Sequence, residues 1–467
     1  MQATVQPTRK VDVVIDAVRA RIASRQLGQG ARLPSIRACA SSMGVSKSTV
    51  VDAYERLAAD GVIRARRGSG FFVAAHAPPL DLTGIAPPRE RAVDPLWVSR
   101  QALDGAGEAG RPGCGWLPAD WLPQAALRRA LRERARATDA ELADYAPPQG
   151  SPALRALLAR RLRERGIDAP AAQIVLGQGV TQIVDLLCRM LLEPGDAVLV
   201  DDPCYFNFLA LLRAHRVRVV GVPRGAAGPD LDAFDAALRE HRPRLYLTQS
   251  ALHNPTGTSL SPPLAHRLLQ RAEQAQLTII EDDVYADLDA SAGVRLAAFD
   301  GLQRVVYVGG FSKTLSAAAR CGFVALRGDW VEPLLDLKVA TSFSDDRNAA
   351  ALVHGVLADG GWRRHLEQLR TRLADASAQV LQRLQRLGIQ PAPAPAGGLF
   401  AWCELPAGVD SAELARRALA RGVLLAPGNV FSIGQRCAGY MRVNVAQCLA
   451  PTVCERLARA LDDCVRN

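Results

Sequence analysis

The sequence predicts two folded parts joined by a linker: a small basic α+β module at the N-terminus and a large α/β body built on a mostly parallel sheet. Three observations carry this. The 467 residues exceed what one ordinary core supports, so two or three domains are expected. Positive charge is concentrated at one end: residues 1–75 hold twelve Lys/Arg against five Asp/Glu, most of the net charge of +10. From about Cys114 onward, short apolar β-branched runs alternate with amphipathic helical stretches, the pattern of parallel strands joined by helices.

Composition narrows the class. A basic module on a near-neutral body points to a polyanion partner for the module; a solvated basic face is the plainer alternative. Ten cysteines are scattered with no Cys-x-x-Cys and no Cys/His pairing at zinc spacing. They suit small buried hydrophobes in a reducing compartment, and no metal is expected. Met1–Val11 has no apolar run of the signal-peptide kind, and no stretch approaches the ~18 apolar residues of a membrane span. A cytoplasmic protein is the expectation.

The first helix places Val11, Val14, Ile15, Val18 and Ile22 on one stripe. In "RLPSIRACASSMGVSKSTVVDAYERLAADGVIRARRGSGFFV", Ser35 caps a helix running to about Met43 and Gly44 suits the turn after it. Ser46 caps the next helix, with Val45 and Val50 as a hydrophobic staple. Val50, Tyr54 and Leu57 then face inward, leaving Lys47, Ser48 and Thr49 outward in the first turn. Short donors and a cation at a helix N-terminus suit phosphates and base edges in a major groove. "VIRARR", "GSG" and "FFVAA" form a hairpin with Arg66 and Arg67 beside its tip, a wing.

Residues 10–75 resemble the GntR-type winged helix-turn-helix, with "LPSIR", "GVSKSTV" and "GSGFFV" in family order. The resemblance implies double-stranded DNA as partner and Arg37, Ser46, Lys47, Ser48, Thr49, Arg67 and Gly68 as contacts. Lys47 stands where the family often has arginine; lysine is a point charge without arginine's two-pronged fork.

An Ala/Pro-rich linker is expected over 76–113, starting in "HAPPLDLTGIAPPRERAVDP", because proline fixes φ and removes donors. The body over 114–467 divides into a large lobe at about 145–343 and a small lobe mainly over 344–467. Its strands are read at "IVLG", "AVLV", "VRVVGVP", "RLYLT", "LTII", "RVVYVGG" and "GFVAL".

Four motifs in the body bear chemistry, several just after a strand, where open parallel sheets bind ligands. In "VLGQGVTQIVDLL" a strand ends, glycines turn the chain and a helix begins near Thr181. The N–H groups of Gly179, Val180 and Thr181 then face an anion, although such a turn is often only a turn. In "HNPTG", Asn254 offers an amide donor to an oxygen, or merely caps a turn. In "LTIIEDDVY", acids directly after a buried strand need a cationic partner. A protonated pyridine nitrogen on Asp282 is one, with Tyr285 in reach of a ring hydroxyl; a metal-binding pair is the rival, with no histidine nearby. In "VVYVGGFSKTLSAAARCG", Lys313 follows a strand; a lysine near a cofactor's cationic surroundings can have a lowered pKa and form a Schiff base, whereas a lone lysine is most often a surface residue. Ser312 and Arg320 are placed to hold phosphate.

In this order, the motifs resemble the fold-type I pyridoxal-phosphate aminotransferases over residues 115–467. The resemblance implies that fold, with pyridoxal 5'-phosphate as cofactor and Lys313 as its aldimine lysine. It pairs Asp282 with the pyridine nitrogen and gives the ring oxygen to Asn254 and Tyr285. Tyr205 stacks on the ring, and Arg442 is the fork for a ligand carboxylate. Tyr145 crosses a dimer interface to the partner's phosphate. At Gly310, three residues before the lysine, the family usually carries a phosphate-binding hydroxyl, which glycine lacks.

The two halves together resemble the MocR regulators. That implies a head-to-tail homodimer and a transcriptional regulator whose body senses pyridoxal phosphate, an amine or an amino acid by aldimine exchange. Two alternatives stay open: a working aminotransferase with a DNA-binding tail, and a sensor of pyridoxal phosphate itself controlling vitamin B6 supply. Every residue for transamination is present, as the aminotransferase alternative requires.

Overall fold

The computed structural model describes residues 10–465, apart from 25, 29, 67, 68, 75–92, 106, 107, 109 and 292. They fall into two units, divided after residue 91.

The first unit is α1 (Lys10–Ala23), α2 (Ile36–Met43), α3 (Lys47–Ala59) and a hairpin of β1 (Ile63–Arg66) and β2 (Gly70–Val73). The caps fall where the sequence puts them. Ser35 Oγ accepts from Ala38 N–H, Gly44 takes φ 64°, and Ser46 Oγ accepts from Thr49 N–H. These caps hold α2 and α3 so that Val14, Val18, Val50, Ala53, Tyr54, Leu57 and Ile63 close one core. The Tyr54 hydroxyl, carried inside with its ring, donates to the Pro34 carbonyl at 3.1 Å, which a buried phenol requires.

The second unit begins with a departure from expectation. Of the stretch read as linker, 76–92 lies outside the described residues, but Pro95–Leu103 is a helix, α4. Asp94 accepts from Trp97 N–H as its cap, and proline opens the first turn, where its missing N–H is no loss. Val98 and Ala102 are buried.

The main sheet has eight strands in the order β3-β10-β9-β8-β7-β4-β5-β6. These are β3 (Ile174–Gly177), β4 (Ala197–Asp202), β5 (Arg218–Gly225), β6 (Gly228–Pro229), β7 (Leu245–Thr248), β8 (Thr278–Asp282), β9 (Val305–Gly310) and β10 (Gly322–Ala325). The central strands β5, β4, β7, β8 and β9 run parallel, while β10 is antiparallel to both β9 and β3. All seven runs named above are strands; all but the partly exposed β5 are buried on both faces and so read as continuous apolar runs. The smaller antiparallel sheet, β11-β12-β14-β13, comprises Gln390–Pro391, Phe400–Glu404, Tyr440–Asn444 and Ala426–Pro427.

The lobe boundary lies later than Ser344. Ala349, Val353 and Val356 of the helix Arg347–Ala358 belong to the large-lobe core, as do Trp362 and Leu366. From Leu369 onward the helix Trp362–Gln385 packs into the small-lobe core instead, together with Leu117 and Trp121. One unbroken helix spans both cores, so its sequence carries no break to read. Among the described residues no helix is long and apolar enough to cross a membrane.

Candidate functional site

Parallel strands deliver their last residues to one edge of the sheet, and the second unit's polar side chains gather there. Asp282 ends β8, Gly310 ends β9, and Gln249 follows β7 directly. A cavity at this edge is lined by Val180, Thr181, Tyr205, Asp282, Tyr285, Ser312, Lys313 and Arg320, among others. The structure thus brings together eight of the residues picked from sequence.

At one end stands the helix Val180–Leu191, whose N-cap Gly179 has φ 94°. A Cβ on Gly179 would lie 2.9 Å from Arg320 Nη2. Glycine therefore lets a guanidinium sit directly beside a helix N-terminus, where free N–H groups and the helix dipole favour an anion. Arg320 Nη2 donates to the Gln178 carbonyl at 3.2 Å, leaving its remaining donors for the cavity. Gly310 has a packing reason: a Cβ there would press on Val180 at 3.0 Å, so a side chain would push the helix aside.

Asp282 is almost fully buried. Gln249 Nε2 donates to its Oδ2 at 2.8 Å and Val284 N–H to its Oδ1 at 3.2 Å. Burial pushes its carboxyl up to about 7, against the pull of the Gln249 amide. Gln249, which the sequence reading missed, is locked in orientation because its Oε1 accepts from Asn254 N–H at 2.9 Å. It thereby joins Asp282 to Asn254, whose Nδ2 lies 3.4 Å from the Tyr285 hydroxyl.

A pH dependence follows from Asp282. From the ordinary carboxylate range up to about 7, the cofactor-free folded protein keeps on Asp282 a proton that the unfolded chain has released. Folded protein then binds more protons than unfolded, so this group's contribution to stability falls as pH rises through that window. Asp282→Asn should flatten that fall. Melting temperatures of both proteins at about pH 5 and about pH 8 check it; an equal pH slope in both would contradict it.

Lys313 Nζ donates to the Gly115 carbonyl at 2.7 Å and lies 6.0 Å from the Tyr285 ring centre. Burial, reinforced by the Arg442 guanidinium, brings its amine down to about 8, which keeps a usable neutral fraction near physiological pH. Arg442, on β14, is buried among Phe400, Phe431 and Phe206, at 4.3, 5.1 and 5.8 Å from the three ring centres. Its Nη1 donates to Asn254 Oδ1 at 2.9 Å and its Nη2 to the Gly113 carbonyl at 2.6 Å, while Nε has no partner among the described residues. A buried guanidinium with a spare donor is costly unless an anion comes to it.

The donor set fits a phosphorylated aromatic aldehyde. It provides an anion seat at the helix N-terminus with Arg320, a low-pKa amine, a buried carboxylate on the next strand, and ring-oxygen donors. Tyr145 lies outside this cavity: it is 73% exposed and meets the Phe343 ring edge-on at 4.8 Å.

In the first unit Arg37, Ser46, Lys47 and Ser48 are exposed and Thr49 half-buried. Ser46 Oγ lies 2.8 Å from Ser48 Oγ and 2.7 Å from Thr49 Oγ1, so three hydroxyls cluster at the start of α3 beside Lys47. In the wing, the Arg66 guanidinium covers the Phe72 ring at 4.8 Å. Arg67 and Gly68 lie outside the described residues.

Comparison with known proteins matches residues 118–461 to the aminotransferase class I and II family and residues 10–73 to the gntR family of bacterial regulatory proteins. The chain is 30% identical over 449 residues to the uncharacterized HTH-type transcriptional regulator YdcR of Escherichia coli (strain K12), covering 94% of this chain and 95% of that one. It is 28% identical over 382 residues to the probable rhizopine catabolism regulatory protein MocR of Rhizobium meliloti, covering 77% and 74%. Among solved structures it is similar to the alpha-aminoadipate aminotransferase LysN of Thermus thermophilus, complexed with N-(5'-phosphopyridoxyl)-L-leucine. That TM-score is 0.72 at 28% identity, over 79% of this chain and 95% of the other.

Proposed function

The chain belongs to the aminotransferase class I and II family and carries a gntR-family regulatory domain ahead of it, the make-up of the MocR-type regulators; on that premise we propose that it is a DNA-binding regulator that answers to an amine or amino acid. Its cofactor is pyridoxal phosphate. The observation that carries the sensing half is one cavity lined by Asp282 at the end of β8, by Lys313 just after the neighbouring β9, and by Arg320 beside the helix N-terminus at Gly179.

When bound, pyridoxal phosphate supplies an aldehyde that condenses reversibly with amines and a ring that withdraws electrons while its nitrogen is protonated. Lys313 is the amine that holds the aldehyde end. Asp282, kept in place by Gln249, holds the proton at the ring nitrogen. Asn254 and Tyr285 would bind the ring oxygen, and Tyr205 would pack against the ring. Thr181, Ser312, Arg320 and the N–H groups of Gly179–Thr181 hold the phosphate. Arg442 takes the carboxylate of an incoming amino acid. Tyr145, exposed on its own chain, serves the partner's phosphate in a head-to-tail dimer.

A ligand alters DNA binding only by favouring one of two states of the protein. The proposal is tested by DNA affinity of the full chain with and without cofactor and amines. Affinity that responds to an amine only when cofactor is present supports it. Affinity that responds to the cofactor alone supports a sensor of pyridoxal phosphate instead. The complete transamination set favours a second reading, a working aminotransferase. Rapid amino-group transfer to a 2-oxo acid, unchanged without residues 1–75 and with no specific DNA binding, would select it.

On the DNA side, Lys47→Ala should weaken binding about equally across sequences and lower the salt slope by about one, as expected for a lost phosphate contact. Affinities over a series of salt concentrations check this; an unchanged slope would remove Lys47 from the interface.

A further inference from the structure

The chain coming from the reader enters the second unit beside Arg442 and is tied to it twice. Val93 and Val98, at its entry, share a buried cluster with Phe206 and Phe431, two of the rings around the Arg442 guanidinium. Further on, residues 110–113 lie along 423–425. Gly110 bridges Val423 in parallel, Gly113 N–H donates to the Leu424 carbonyl at 2.8 Å, and Leu424 N–H donates to the Gly110 carbonyl at 3.1 Å. A Cβ on Gly113 would fall 2.4 Å from the Leu425 carbonyl carbon, so only glycine lets the two backbones approach this closely.

Four successive carbonyls then accept from Lys313, Arg442 and Asn444, the last two on β14. Arg442 Nη2 donates to Gly113 at 2.6 Å and Lys313 Nζ to Gly115 at 2.7 Å. Asn444 Nδ2 donates to Cys114 at 3.0 Å and to Trp116 at 2.8 Å. A segment of backbone thus occupies both poles at which an amino acid would be held, the carboxylate pole and the amine pole. A peptide carbonyl is a neutral acceptor. A carboxylate offers a guanidinium a charge-assisted and often two-pronged bond, roughly twice as strong per contact.

We propose that the Gly113 carbonyl is a built-in competitor for Arg442, so that the site answers to amines that carry a carboxylate and answers by releasing residues 110–116 from 423–425. The inference rests on the ligand reading above and adds its selectivity and its output. An amine without a carboxylate leaves Arg442 on Gly113 and the segment latched. An amino acid draws Arg442 away, and the freed segment is covalently continuous with α4 and the chain leading to the reader.

The test compares N-(5'-phosphopyridoxyl)-glycine with N-(5'-phosphopyridoxyl)-methylamine, two stable conjugates that differ by one carboxylate, each added to full-length cofactor-free protein. Amide hydrogen exchange is followed at Gly113, Leu424 and Asn444, whose N–H groups hold the segment in place. The glycine conjugate should speed exchange there by about tenfold over the methylamine conjugate, because local opening sets these rates. Equal exchange with both bound overturns the inference. So does binding of the methylamine conjugate alone, since the carboxylate then fails to displace Gly113. If neither conjugate binds, the cofactor reading itself is wrong and this inference falls with it.

Discussion

Replacing Lys313 by alanine should leave a protein to which borohydride fixes no pyridoxal phosphate, while cofactor affinity falls on the order of a hundredfold or more, roughly 3 kcal/mol. The native chain should be labelled at one position. It has four lysines: Lys10, Lys47, Lys313 and Lys338. Lys10 and Lys47 belong to the reader. Lys338 is buried, with its Nζ donating to Asp345 Oδ2 at 2.5 Å and to the carbonyls of Pro148 and Leu176 at 2.5 and 2.9 Å, so it has no donor to spare. Lys313 alone combines a cavity position with an amine brought down to about 8. The anion seat at Gly179 and Arg320 survives the substitution, so weak non-covalent binding should remain. Peptide mass analysis after reduction decides the matter. A label persisting in Lys313→Ala, on any other lysine, would contradict the assignment.

Leu57→Ala should abolish DNA binding and leave cofactor labelling at Lys313 intact. Leu57 is fully buried in α3, in one cluster with Val14, Val50, Tyr54 and Ile63. Truncating such a leucine costs about 2–5 kcal/mol. A module of this size buries too little surface to hold more than a few kcal/mol in reserve. The core of the second unit shares no residue with that cluster, so its cofactor site should not register the change. Binding to DNA and borohydride labelling, measured on the same preparation, check both halves. Retained DNA affinity would mean that the groove-reading helix does not depend on this core.

What was legible in the sequence was whatever chemistry writes into side chains at fixed spacing. Ser35, Gly44 and Ser46 mark helix ends because an unsatisfied N–H or a left-handed residue demands those types. Asp282 and Lys313 were visible as charged residues set against apolar strands. Gln249 was not, since a neutral amide after a strand looks like any loop residue and its role exists only once Asn254 and Asp282 flank it. The carbonyls of Gly113–Trp116 have no signature at all, because backbone is common to every residue. The helix Pro95–Leu103 was hidden in a proline-rich stretch, although Asp94-Pro95 is itself a start signal. The lobe boundary was misplaced because the helix Trp362–Gln385 runs through it without a break.

The claim on which everything depends is that the ligand state of the second unit governs the DNA affinity of the first. Selection of genomic fragments by the purified full-length protein loaded with pyridoxal phosphate, with and without a mixture of amino acids and in parallel with Lys313→Ala, tests it directly. Fragments whose enrichment changes with the amino acids in the native protein, and does not change in the variant, are the expected result. Identical enrichment under all conditions would contradict it.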